Sequence, residues 1–206
     1  LADITKRLGA TNLSSHFGIM SHEDVNDPIK REQATSLTVA AWKEIAEYGK
    51  QIGLQYLSWE PMSVKREYGE TIAETERIQK LLQGSAIPIL ICLDVSHGDL
   101  SSQNPDDHDY AKWVEKFAAI SPLIHLKQVM AGTSAHLPFT TENNMKGKIR
   151  PETLLPMLEK YGAKNALLLL ELAFREREPT ESLILQQLQE SADYWKRGMN
   201  NHGITL

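Results

Sequence analysis

Aliphatic runs that each stop at a polar residue alternate with helical stretches along the whole chain. The first extended segment, Asn12 to Gly18, is short and ends in Ser15-His16-Phe17-Gly18. A helix is predicted from Pro28 to about Gly53, with Asp27 as N-cap and Pro28 at the first helical position, where no N–H is needed. Leu37, Ala40, Ala41, Ile45 and Tyr48 recur at helical spacing and mark its expected inward face. Leu54 to Trp59 reads as a strand stopping at Glu60-Pro61, and residues 70–83 as a helix with Ile72, Ile78, Leu81 and Leu82 inward. Ile87 to Leu93 reads as a buried strand ending at Asp94, and Asp106 and Asp107 as caps of a helix carrying Trp113, Val114 and Phe117. Leu123 to Leu126 is a short strand after Pro122, and Pro151 opens a helix that closes near Gly162. Ala166 to Leu170 is a nearly pure aliphatic strand ending at Glu171, and a last helix is expected from about Thr180 to Met199.

Buried strands joined by helices imply parallel pairing with right-handed crossovers. The fold class is therefore α/β, either a doubly wound sheet or a (β/α)8 TIM barrel. No Gly-x-Gly-x-x-Gly and no P-loop opens any of the helices, which removes the main sign of a dinucleotide-binding sheet. The 206 residues, 41% of them hydrophobic, suit a single domain with a real core spanning residues 1–206. No apolar run approaches the roughly 20 residues a membrane span needs, so no membrane partner is expected. With 27 acidic against 22 basic residues, the net charge of −5 argues against nucleic acid as a partner. One cysteine, Cys92, forbids an internal disulfide and points to a reducing, cytoplasmic setting.

The residues at the strand ends are His16, Glu60, Asp94, His125 and Glu171. In a barrel the C-terminal strand ends form the active face. Carboxylates crowded there repel one another unless a cation lies between them. Taken singly, each acid is an ordinary strand-end residue and His125 an ordinary core histidine. Taken together, Glu60, Asp94, His125 and Glu171 make a hard, mostly oxygen ligand set suited to one divalent metal, Mn²⁺, Mg²⁺ or Co²⁺.

The segments Trp59-Glu60-Pro61, Leu93-Asp94-Val95-Ser96-His97-Gly98, Ile124-His125-Leu126 and Leu170-Glu171 resemble the xylose-isomerase-like sugar phosphate isomerase/epimerase family of TIM barrels, in particular its ketose 3-epimerases. The resemblance implies that Glu60, Asp94, His125 and Glu171 hold one metal, with Glu60 and Glu171 also acting as the acid/base pair. It implies that His97 contacts a substrate oxygen and that the reaction moves a proton next to a ketose carbonyl through an enediolate. In that family the ligands lie on the last four of eight strands. A barrel cannot close with five strands, so three strands and roughly ninety residues are expected before Leu1.

His16 is expected to face the same place and contact substrate. The loop Ala131-Gly132-Thr133-Ser134-Ala135-His136, with Lys127 close by, is a candidate anion site, which adds Lys127 and His136 to the substrate contacts. Lys65, Arg66, Arg175 and Arg177 follow strand ends and are weaker candidates, as is Glu67. The free-sugar members often carry an arginine after the histidine ligand. Here His136 stands in that stretch with no arginine, which disfavours a free hexulose. Trp59-Glu60-Pro61-Met62-Ser63 and Gly69 to Thr75 resemble the erythritol-pathway branch. That branch implies a small ketose phosphate as partner, with 3-epimerisation of erythrulose 1-phosphate the specific expectation, and the family implies a homo-oligomer.

Other readings stay open at this stage: an endonuclease IV-like metal phosphodiesterase, a ketose dehydratase or hydroxypyruvate-type isomerase, and a non-catalytic sugar-binding barrel. Trp42, Trp113 and Trp195 are expected to pack on helices outside the barrel, Cys92 to pack, and His202 to be inert; Trp59 precedes a ligand and is a candidate for lining the pocket, a reading weaker than simple packing.

Overall fold

Asp27 starts the longest helix as its position predicts. Its Oδ1 accepts the backbone N–H groups of Ile29 at 2.9 Å and Lys30 at 3.2 Å, opening α2 (Pro28–Ile52), and Gly53 closes that helix at φ 83°. The structure is a computed structural model and describes residues 1–133, 135–174 and 181–204. Ser134, Arg175, Arg177 and the expected start of the last helix at Thr180 lie outside the described residues. The chain forms two compact units, residues 1–93 with 97–109 and residues 94–96 with 110–206.

The first unit carries α1 (Ala2–Arg7), β1 (Asn12–His16), α2, β2 (Tyr56–Glu60), α3 (Ile72–Leu81) and β3 (Ile89–Asp94, its last residue counted with the second unit). β1 and β2 are parallel from Asn12↔Tyr56 to His16↔Glu60, and β2 and β3 from Leu57↔Ile89 to Trp59↔Ile91. Side chains alternate faces along a strand. Leu57 and Trp59 therefore share one face, and Ser58 and Glu60 the other. Trp59 is fully buried and donates its indole N–H to Gln79 Oε1 of α3 at 2.9 Å. It packs against the helix instead of lining a pocket, because the pleat turns it away from its neighbour Glu60.

The inward face of α2 is also not the expected one. Thr35, Trp42, Ala46 and Gly49 are buried, while Leu37 is 73% exposed and Ile45 and Tyr48 are partly exposed. Small residues decide this. A Cβ on Gly49 would lie 2.9 Å from Ile87, so the helix closes on the strands through Ala46 and Gly49. Trp42 stacks on Phe17 and donates to its carbonyl at 2.8 Å. The Leu37–Tyr48 stripe instead borders an open cleft of about 820 Å³ with Leu1, Leu13 and Phe17.

α3 begins at Thr71, whose hydroxyl accepts the Glu74 N–H at 3.1 Å. Asp107 was expected to cap the following helix. Its carboxylate, 3% exposed, instead accepts the Ile72 N–H of α3 at 2.8 Å and the Ser102 hydroxyl at 2.7 Å. Asn104, not Asp106, caps the short 3-10 turn Pro105–His108, accepting the Asp106 N–H. Of the four residues expected inward on α3, Ile72, Ile78 and Leu82 are buried and Leu81 is partly exposed.

The second unit carries α4 (Tyr110–Phe117), β4 (Leu123–Leu126), α5 (Thr141–Lys146), α6 (Pro151–Lys160), β5 (Leu167–Leu170) and α7 (Ile184–Asn201). β4 and β5 are parallel, with His125 opposite Leu169. Trp113, Val114, Phe117, Leu154, Leu158 and Trp195 form its core. Gly198 of α7 lies against Pro151, where a Cβ would come within 2.2 Å of the ring. The aliphatic β5 is not buried on both faces: Leu167 is 65% and Leu169 46% exposed. These two share the face of Glu171 by alternation. Helices α1 and α5 were not expected; both are six residues long, too short for an apolar period to register.

Candidate active site

Glu60 ends β2 in the first unit and is 5% exposed. Two imidazoles stand beside it: His97 Nδ1 at 3.4 Å from Oε1 and His16 Nε2 at 3.8 Å from Oε2. His97 Nδ1–H also donates to the Pro61 carbonyl at 2.9 Å. A carbonyl only accepts, so Nδ1 carries the proton and Nε2 holds the lone pair in the neutral ring. The loop after Glu60 is tied back tightly. Met62 N–H donates to Tyr68 O, Arg66 donates to Met20 O, and Gly69 sits at φ 76° with Pro61 Cα within 2.8 Å of where a Cβ would be. Arg66 is thus a loop clamp, and Lys65 offers its carbonyl to Arg31 at 2.8 Å.

Beneath that loop Arg31 reaches Glu70 at 3.2 Å and Glu74 at 2.9 Å and lies over the Tyr68 ring. Burial pushes the Glu70 carboxyl up from its ordinary value, and the Arg31 guanidinium only partly offsets it. Glu74 is also pushed up by burial, but hydrogen bonds from Arg77 and Arg31 outweigh that and hold it below the usual range.

In the second unit the strand ends bring Asp94, His125 and Glu171 together. Each offers a ligand atom, and these atoms lie within 4.8 Å of one another. Asp94 Oδ1 closes a turn by accepting the Ser96 N–H at 2.7 Å and hydroxyl at 3.0 Å. His125 Nδ1 stands 3.6 Å from Glu171 Oε2. Two carboxylates and one imidazole, partly or fully buried, form a donor set that fits a hard divalent cation.

Lys127, two residues beyond His125, points the same way and is fully buried. Its Nζ lies 2.8 Å from Asp94 Oδ2, 3.1 Å from Glu171 Oε2 and 2.9 Å from His136 Nε2. Burial pushes the Glu171 carboxyl up, but His136, Asp94 and the Lys127 ammonium outweigh it and hold the group well below the usual carboxylate range.

The connection from β4 to α6 holds Lys127 and His136 in place through Gln128. This fully buried side chain donates to Asn144 Oδ1 and Ile149 O and accepts the N–H groups of Val129 and Ile149. Gly147 leaves the space it fills. Of the expected anion loop, the Thr133 N–H and hydroxyl both go to Met130 O, closing a turn at Gly132. Glu67 lies in the 3-10 turn Lys65–Glu67, and His202 pairs with Glu159 at 3.3 Å.

Over 95% of this chain the structure matches a presumed xylose isomerase of Rhodospirillum rubrum, with TM-score 0.83, 22% identity and 65% of that chain covered. The fold is that of the xylose-isomerase-like TIM barrel. Five strands of it lie among the described residues. An L-ribulose 3-epimerase structure matches over 97% of this chain and 65% of its own, with TM-score 0.64 and 13% identity. In sequence, the chain is 41% identical over 196 residues to D-erythrulose 1-phosphate 3-epimerase of Brucella abortus (strain 2308), covering 94% of this chain and 63% of that protein. The chain thus spans less than two thirds of the length of the curated relative it matches. No protein-family model matches it.

Proposed function

We propose that the whole protein is a metal-dependent ketose phosphate 3-epimerase, with erythrulose 1-phosphate as substrate. The observation that carries this reading is the convergence of Asp94, His125 and Glu171 ligand atoms within 4.8 Å at strand ends. The 41% identity to an erythrulose 1-phosphate epimerase supports the substrate class.

Glu60, on its own strand end, is the fourth member of the proposed set, and the cation is Mn²⁺, Mg²⁺ or Co²⁺. When bound, a divalent cation supplies Lewis acidity toward the ketose carbonyl and its neighbouring hydroxyl. Glu60 and Glu171 are the proposed acid/base pair for the hydroxyl-bearing carbon next to the carbonyl. One removes its proton and the other returns one to the opposite face, inverting that centre through an enediolate. Asp94 and His125 only hold. His97, oriented by Pro61 O, bonds a substrate oxygen through Nε2, and His16, Lys127 and His136 supply further substrate contacts. In this reading residues 1–206 are one domain, the C-terminal part of a longer barrel, whose further strands would cover the exposed Leu167 and Leu169. A homo-oligomer working in the cytoplasm, without nucleic acid, belongs to the same reading; among the described residues no helix is long and apolar enough to cross a membrane.

The test is to incubate full-length protein, Mn²⁺ and D-erythrulose 1-phosphate, then separate the two C3 configurations, which are enantiomers, by chiral chromatography. Appearance of the L-enantiomer is expected. An unchanged single enantiomer from metal-loaded protein contradicts the reading.

A further inference from the structure

We infer that Lys127 is an internal counter-cation of the ligand cluster: its ammonium holds Asp94 and Glu171 together in metal-free protein, and it sets how tightly a divalent cation binds. This rests on the proposed ligand set and gives Lys127 a second role beside substrate contact.

A lysine almost never lies fully buried unless paired. Lys127 is fully buried, and its partners are two carboxylates from different strand ends, at 2.8 Å and 3.1 Å. Gln128, the next residue, is locked by four hydrogen bonds of its side chain, so the backbone that aims Lys127 has little freedom. With that backbone held and the side chain fully buried, the ammonium sits in the cluster where a cation would arrive. Without it the two strand ends would bring two carboxylates together with no ammonium between them.

The same placement opposes a metal. Oxygens already bonded to an ammonium are weaker donors, and a divalent ion on those oxygens meets a like charge at close range in a buried site. Ordering by the lysine works the other way, since it presents the two carboxylates already converged. That gain is small, because Asp94 Oδ1 is independently fixed by Ser96 and Glu171 also contacts His136 at 3.4 Å. Charge repulsion is the larger effect, so removing the ammonium tightens metal binding and loosens the metal-free fold.

Mn²⁺ is titrated calorimetrically into chelator-stripped full-length protein, as wild type, Lys127→Met and Lys127→Gln. Gln keeps hydrogen-bond donors without charge and serves if Met prevents folding. Binding at least tenfold tighter in the uncharged variants is expected, together with a lower melting temperature of the chelated form than wild type. Equal or weaker Mn²⁺ binding in a folded variant, with wild-type binding intact, overturns the lysine role alone. An unchanged melting temperature of the chelated variants also overturns it. Absence of Mn²⁺ binding in wild type and variants overturns the ligand set and this inference with it.

Discussion

Lys127 Nζ lies 2.8 Å from Asp94 Oδ2, and neither side chain is exposed. Removing one partner of a buried pair leaves an uncompensated charge, and Glu171 offsets only part of that here. Asp94→Ala is expected to lower the stability of metal-free protein by about 3 kcal/mol, the lower end of the range for such changes. Urea unfolding in chelator measures it. A loss within error of zero means that the pair is not formed in solution.

Glu60→Gln and Glu171→Gln remove the two proposed proton-transfer groups while keeping their size. Turnover is expected to fall about 10²- to 10⁴-fold in each, with the circular dichroism spectrum unchanged. Wild-type kcat in either variant removes that residue from the acid/base role.

The two acids under Arg31 respond oppositely to pH. Glu74 has a depressed folded pKa, so its contribution is present above the unfolded carboxylate value and is lost as pH falls through the folded one. Glu70 has a raised folded pKa, so its contribution is present below the unfolded value and is lost as pH rises through the folded one. Glu74→Gln should therefore melt below wild type at pH 7, and Glu70→Gln should not. The differences should shrink as pH falls through the carboxylate range. Melting curves between pH 3 and pH 8 (roughly the span of these titrations) decide it, and an equal loss in both variants at pH 7 speaks against the opposed shifts.

Asp107 satisfies the first N–H of α3 from 35 residues away in sequence. Asp107→Ala is expected to cost about 1–2 kcal/mol, as for a lost N-cap. Because Ile72 follows the loop that begins at Glu60, amide exchange of residues 70–75 should accelerate in this variant. Unaltered exchange there argues that Thr71 alone caps the helix.

The parallel strands, the α2 cap and the strand-end residues were legible because each follows from local chemistry: aliphatic runs, Asp-Pro at a helix start, an acid or histidine where a strand stops. The inward face of α2 was not. Periodicity selects the most apolar stripe, whereas Ala46 and Gly49 win by letting the backbone approach Ile87. Asp107 was assigned to the nearer helix because sequence distance says nothing of a cap arriving from a loop. Trp59 and Lys127 were readable with one further step. The two-residue period of a strand turns Trp59 away from Glu60 and sets Lys127 on the side of His125.

The most direct test of the central claim is proton exchange with solvent. Metal-loaded full-length protein is incubated with erythrulose 1-phosphate in D₂O, and C3 is followed by NMR. The account predicts deuterium at C3, abolished by chelator and lost when Glu60 and Glu171 are both changed to Gln. A substrate that keeps its C3 proton while the protein demonstrably binds metal contradicts enediolate chemistry at Glu60 and Glu171.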